Sequence, residues 1–98
     1  MKLPVVLRRQ ARREYDEAAD SYESRQPGLG ERFTEAVQAI FDSASANPGR
    51  HPRVFGEVHE GPVPGFPYCV YYRKERGYLL VIAVFHTSRD PSIWQSRA

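Results

Sequence analysis

YLLVIAVFH, residues 78–86, is nine residues of almost pure strand material. Its apolar side chains continue through both alternations, so neither face of the strand is made for water. A run of that kind belongs in the middle of a sheet, covered on both sides. KERG (74–77), just before it, reads as a hairpin loop, with Gly77 near the position that needs a positive φ. Phe66 to Arg73 is then the antiparallel partner strand. Val54 to Val63, VFGEVHEGPV, is a more moderate strand that an internal glycine bends.

The first half of the chain has a different period. LPVVLR (3–8) reads as a short strand. From Arg9 to Arg25, Ala11, Tyr15, Ala18 and Tyr22 recur at steps of four, three and four, which is one face of a helix. QPGLG (26–30) interrupts it. Leu29, Phe33, Val37, Ile40 and Ala44 then mark a second helix, stopped by NPGRHP (47–52). The fold class is α+β: an N-terminal strand, a helical hairpin on one face, then a three-stranded antiparallel meander. Two helices are long enough to carry the first strand to a parallel neighbour, so it is placed as an edge of that sheet. The 98 residues make one domain, 1–98.

The composition excludes several classes. Apolar residues are 41% and charged residues 27%, an ordinary globular balance. No stretch approaches the roughly 20 apolar residues of a membrane span, and the N-terminal apolar run is too short for a signal peptide. Cys69 is the one cysteine, so no internal disulfide forms, and the expected location is cytoplasmic. One cysteine and three scattered histidines give no metal pattern, and no cofactor motif is present. The net charge of +2 is mild for a protein devoted to gripping phosphate backbones. Except for Lys2 and Lys74, all fourteen basic residues are arginine.

The order of elements resembles the RelE/ParE superfamily of toxins from type II toxin–antitoxin pairs. The residues that carry the likeness are the helix with Ala18 and Tyr22, RFTEAVQAIFDSASANPGRHP (32–52), YCVYYR (68–73) and LLVIAVFHTSRDPSIW (79–94). The Tyr-rich strand, the strand ending in His86 and the following Arg89–Asp90 are most similar to the ParE-like branch. The resemblance implies a small toxin neutralised by a cognate antitoxin protein. ParE-like members act on DNA gyrase without hydrolytic chemistry. RelE-like members, the alternative, cut mRNA on the ribosome. A degenerate, non-toxic binding partner is a third reading.

Candidate sites follow from both sources. Cleavage by 2′-hydroxyl attack needs a base, a cation for the phosphorane and an acid for the leaving oxygen. Some ribosome-dependent relatives use a strand-borne Glu, Arg and His, and Glu57 (or Glu60), Arg73 and His86 fit those types if they share a face. His86 serves equally as an anchor for the chain end. Arg89 and Trp94 are candidate target-binding residues, since both types are enriched at protein-binding hot spots. Trp94 is otherwise a cover for the core, and Arg89–Asp90 a tie for the turn. Ala11, Tyr15, Phe33 and Val37 are the candidate antitoxin groove along the hairpin, together with an exposed sheet edge that an added strand would extend. Arg8, Arg9, Arg12 and Arg13 crowd the start of the first helix, where cations oppose the macrodipole. They read either as a solvated helix end or as a dock for an acidic antitoxin segment or a nucleic-acid-bearing target.

Overall fold

A computed structural model describes residues 2–98. The elements run β1 (Val5–Leu7), α1 (Arg9–Arg25), α2 (Leu29–Ala46), β2 (Arg53–Phe55), β3 (Val58–Pro62), β4 (Tyr68–Glu75), β5 (Tyr78–His86) and α3 (Ser92–Gln95). The strands form one sheet in the order β1-β5-β4-β3-β2. β1 lies parallel to β5 at one edge, and the remaining pairs are antiparallel. The meander thus has four strands where the sequence suggested three. Val54–Val63 is not one bent strand: Gly56, at φ 56°, and Glu57 turn it into the β2–β3 hairpin. Only glycine takes that backbone conformation without strain.

The helical hairpin covers one face of the sheet. Ala11, Tyr15 and Ala18 from α1, and Phe33, Val37, Ile40, Phe41 and Ala44 from α2, pack on Val70, Tyr72, Leu79, Val81 and Val84. The two helices approach most closely at Gly30. A Cβ there would sit 2.6 Å from the Ala19 carbonyl oxygen and 2.8 Å from Glu23 Cβ. Glu23 also accepts the backbone N–H groups of Gly28 and Gly30, so its carboxylate satisfies donors at the start of α2 that no side-chain cap serves.

The second face holds Val58, Cys69, Tyr71, Leu80, Ile82, Ala83 and Phe85, and the C-terminal tail covers part of it with Trp94. β5 is therefore buried on both sides, as its unbroken apolar run requires. A bulge decides which side each residue takes. Tyr71 pairs with Ala83 but Tyr72 pairs with Val81, so Ile82 is an extra residue. Ile82 and Ala83 both belong to the second face, and the parity of β5 is reversed beyond them.

Candidate functional site

β1 ends at Leu7, opposite Val81, and leaves the outer half of β5 with a strand, β4, on one side only. The backbone N–H of Arg8 still donates to Val81 O, after which α1 carries the chain across the sheet. Side chains take over the open edge. Glu14 Oε1 accepts the N–H of Val84 at 3.2 Å, and Arg97 Nη1 donates to the carbonyl of Ile82 at 3.3 Å. Arg97 also makes a two-pronged pair with Glu14, at 3.0 and 2.9 Å, and Arg89 adds a third contact at 3.2 Å. One carboxylate thus fastens α1, the β5 bulge and the C-terminal tail. The Arg89 guanidinium also lies over the Phe85 ring, 4.3 Å from its centroid. Asp90 accepts the N–H of Ser92 at 3.0 Å, which opens α3 and holds the Asp90 carboxyl below its ordinary pKa.

A small cleft of about 160 Å³ opens beside this knot, lined by Glu14, Glu17, Ser21, Tyr68, His86 and Arg89 among others. His86 Nδ1 accepts the N–H of Ser88 at 3.0 Å and lies 2.8 Å from the Ser88 hydroxyl. The ring's proton in its neutral form is therefore on Nε2. Tyr68 meets His86 edge to face at 5.1 Å, and burial, ahead of the neighbouring Tyr22, raises its hydroxyl pKa. On the other side of the sheet end, Glu60, Cys69, Tyr71, His86, Arg89 and Trp94 are among the residues lining a cleft of about 400 Å³, so His86 and Arg89 border both clefts. The Tyr71 hydroxyl donates to Glu60 at 2.7 Å, and burial raises its pKa strongly. Burial also raises the Cys69 thiol.

Glu57, Arg73 and His86, the trio considered for RNA cleavage, are not brought together. Arg73 is paired with Leu80, on the second face; the bulge puts His86 on the helix face with Val84. Were Ile82 to take a regular place in the alternation, the two would share a face. Six residues of strand, about 20 Å, also separate Leu80 from His86. Glu57 is in the β2–β3 turn, not on a strand; it borders a cleft with Arg73, but its hydrogen bond goes from Arg53 and that of Arg73 goes to Glu75.

Two other expectations also change. Ala11, Tyr15, Phe33 and Val37 are core residues, at most 7% exposed, because the sheet consumes the single apolar stripe of each helix. The exposed large apolar side chains are Val6 on β1, Val54 and Phe55 on β2, and Ile93 on α3. Trp94 is 3% exposed and stacks on Tyr71 with ring centroids 3.9 Å apart, so it covers the sheet and presents no contact surface. Its indole N–H is buried without a partner. Arg89 remains accessible, with 45% of its side chain exposed.

Glu14 and Arg97 are the residues that sequence reasoning passed over. Glu14 did carry a signal. It lies three residues after Ala11 and four before Ala18, within the buried stripe, where a carboxylate needs a partner. Its partners, 70 and more residues away, have no local signature. Among the described residues no group of His, Cys, Asp and Glu is placed to hold a metal ion, and no helix is long and apolar enough to cross a membrane.

Comparison with known proteins accords with this architecture. A solved structure described as the chromosomal ParDE TA system from P. aeruginosa contains a chain similar to this one at a TM-score of 0.75. The match covers 89% of this chain and 98% of that one at 11% identity, a likeness of fold. No curated protein matches the sequence. The profile of the family described as "ParE toxin of type II toxin-antitoxin system, parDE" matches residues 5–91, nearly the whole chain, and this protein belongs to that family.

Proposed function

We propose that this toxin-family protein inhibits DNA gyrase by surface contact, without chemistry by its own side chains, and that a cognate antitoxin neutralises it. The observation that carries the choice is the bulge at Ile82–Ala83. It separates His86 from Arg73, and Ser88 occupies His86 Nδ1, so Glu57, Arg73 and His86 do not converge as base, cation and acid. Arg89 is the target-contacting residue of this proposal. It is exposed, and Glu14 and the Phe85 ring hold it in place, so little side-chain freedom is lost on binding. Trp94 supports that surface from beneath. The antitoxin is assigned to the β2 edge, where the exposed Val54 and Phe55 flank unpaired backbone that an added strand would use.

Purified protein added to gyrase and relaxed plasmid is expected to block supercoiling, and Arg89→Ala is expected to weaken the block at unchanged far-UV circular dichroism. Intact supercoiling together with rapid mRNA loss in expressing cells would overturn the reading in favour of the endoribonuclease.

A further inference from the structure

The charge of α1 is arranged against the helix that carries it. Arg8, Arg9, Arg12 and Arg13 stand at its N-terminus, followed by Glu14, Asp16, Glu17, Asp20 and Glu23 toward its C-terminus. The macrodipole favours acidic residues at the N-terminal end, and only Arg25, in the last turn, is a cation placed where it favours one. The first turn has no acidic residue, and Arg8 makes no side-chain cap. Packing does not account for the arginines: Arg9, Arg12 and Arg13 fall within about 100° of helix circumference, away from the buried Ala11–Tyr15–Ala18 stripe. Their ion pairing is also slight. Arg12 reaches Asp16 at 3.9 Å with both side chains largely exposed, and Arg8, Arg9 and Arg13 have no ion pair among the described residues.

These four residues account for the net positive charge of the protein. Without them the chain has ten basic and twelve acidic side chains, a net charge of −2. The mild overall charge therefore conceals a concentrated patch. At about 1.5 Å of rise per residue, positions 8 to 13 span about 7.5 Å of axis, close to one charge per 2 Å. One backbone of a nucleic-acid duplex carries one phosphate charge per about 3.4 Å of axis. A helical acidic peptide presents carboxylates on one face only every three or four residues, about 5–6 Å apart. Arginine, with its planar fork of donors, suits phosphate oxygens.

We propose that Arg8, Arg9, Arg12 and Arg13 form a docking patch for the phosphate backbone of a nucleic-acid duplex. The patch reads no bases. It is bounded on the helix by Asp16, Glu17 and Asp20, which repel further phosphates, so the footprint is a few phosphates on one backbone. The inference goes beyond the gyrase reading and does not depend on it, because it is measured with toxin and duplex alone.

The test is fluorescence anisotropy of a labelled 20-bp DNA duplex titrated with the full chain across a series of salt concentrations. With four phosphates engaged, log K should fall against log salt with a slope of about −3 to −4, roughly a hundredfold loss between 50 and 200 mM. Arg9→Gln/Arg13→Gln should reduce that slope by about 2. Arg32→Gln/Arg76→Gln, which removes the same charge from exposed sites elsewhere, should leave it unchanged. Melting supplies a readout that a merely structural role would move the other way. The Arg9/Arg13 variant should melt no lower than the parent while losing DNA, since its arginines oppose the helix dipole. Equal losses in both double variants, no binding at 50 mM salt, or displacement of the DNA by an acidic peptide at matched charge would each overturn the proposal.

Discussion

Replacing Glu14 by Gln should be among the most damaging single changes to this protein, although the residue lies on a helix otherwise rich in surface charge. Its side chain is 13% exposed, and that of Arg97 is 12% exposed. Glutamine keeps the volume and one carbonyl oxygen, so Val84 N–H retains an acceptor. What is lost is the charge facing Arg97, whose remaining contacts are the Ile82 carbonyl and the Phe85 ring. Removing one partner of a well-buried pair costs about 3–5 kcal/mol. The residual exposure here places the expected loss just below that range, at about 2–3 kcal/mol. For a domain of this size that is a fall in Tm of roughly 10–20 °C. Arg89→Ala removes a contact whose arginine is largely in solvent and should cost under about 1 kcal/mol. Arg97→Met with Glu14→Gln should recover part of the loss, because no uncompensated charge is then buried. Urea unfolding followed by circular dichroism and Trp94 fluorescence measures all four proteins. A Glu14→Gln loss within 0.5 kcal/mol of zero, or an Arg89→Ala loss equal to it, would refute the account of this knot.

Two further outcomes are expected. His51 is held below its ordinary pKa, first by burial and then by Arg50 and His59, and its Nε2 is buried without a partner. The unfolded chain therefore binds the proton more readily, so stability should fall as pH drops below about 6.5, toward the lower folded value. Urea midpoints at pH 7.5 and 5.5 should differ less in His51→Phe than in the parent, and an equal difference would exclude His51 as the source. Gly30→Ala should destabilise by about 1–3 kcal/mol, because a backbone carbonyl 2.6 Å from the new methyl cannot rotate away; a neutral effect in thermal melting would mean that the helices separate more easily than their packing implies.

What the sequence made legible, and what it hid, divides along a physical line. β5 was readable because burial on both faces leaves an unbroken apolar run. The helices were readable because each buries one stripe at 3.6-residue spacing, and their length placed β1 as a parallel edge. The β2–β3 hairpin was hidden in a stretch where Gly56 looked like a bend: a two-residue connection needs little beyond one residue at positive φ. The bulge was hidden more deeply. Val81–Phe85 is apolar in every register, so no pattern marks Ile82 as the extra residue, yet it decides which face His86 takes. Ala11, Tyr15, Phe33 and Val37 were read as a docking groove because apolarity alone does not say whether the facing surface is the sheet or another chain. Trp94 was the opposite case: its burial on Tyr71 is the ordinary fate of a large ring in a small domain.

Glu14 joins two of the proposed partner surfaces, the α1 arginine patch and Arg89. It anchors Arg89, and it lines a shallow cleft with Arg13, Arg89 and Arg97. The arginine patch on α1 and the candidate target-binding residue on the tail are therefore neighbours across one carboxylate. A protein acting on a DNA-bound enzyme would meet protein and phosphate on adjacent surfaces, and this arrangement offers a cation for each. The two contacts are nonetheless separable. Arg9 and Arg13 stand on a helix whose position is set by Ala11, Tyr15 and Ala18 in the core, whereas Arg89 depends on Glu14 for its orientation. Glu14→Gln should accordingly leave duplex binding intact under conditions where the variant remains folded, or strengthen it by removing a nearby negative charge. Gyrase inhibition should weaken with the loss of Arg89's anchor. Parallel loss of both would mean that the two surfaces act as one site, and the separate assignment of the helix patch and the tail would fail.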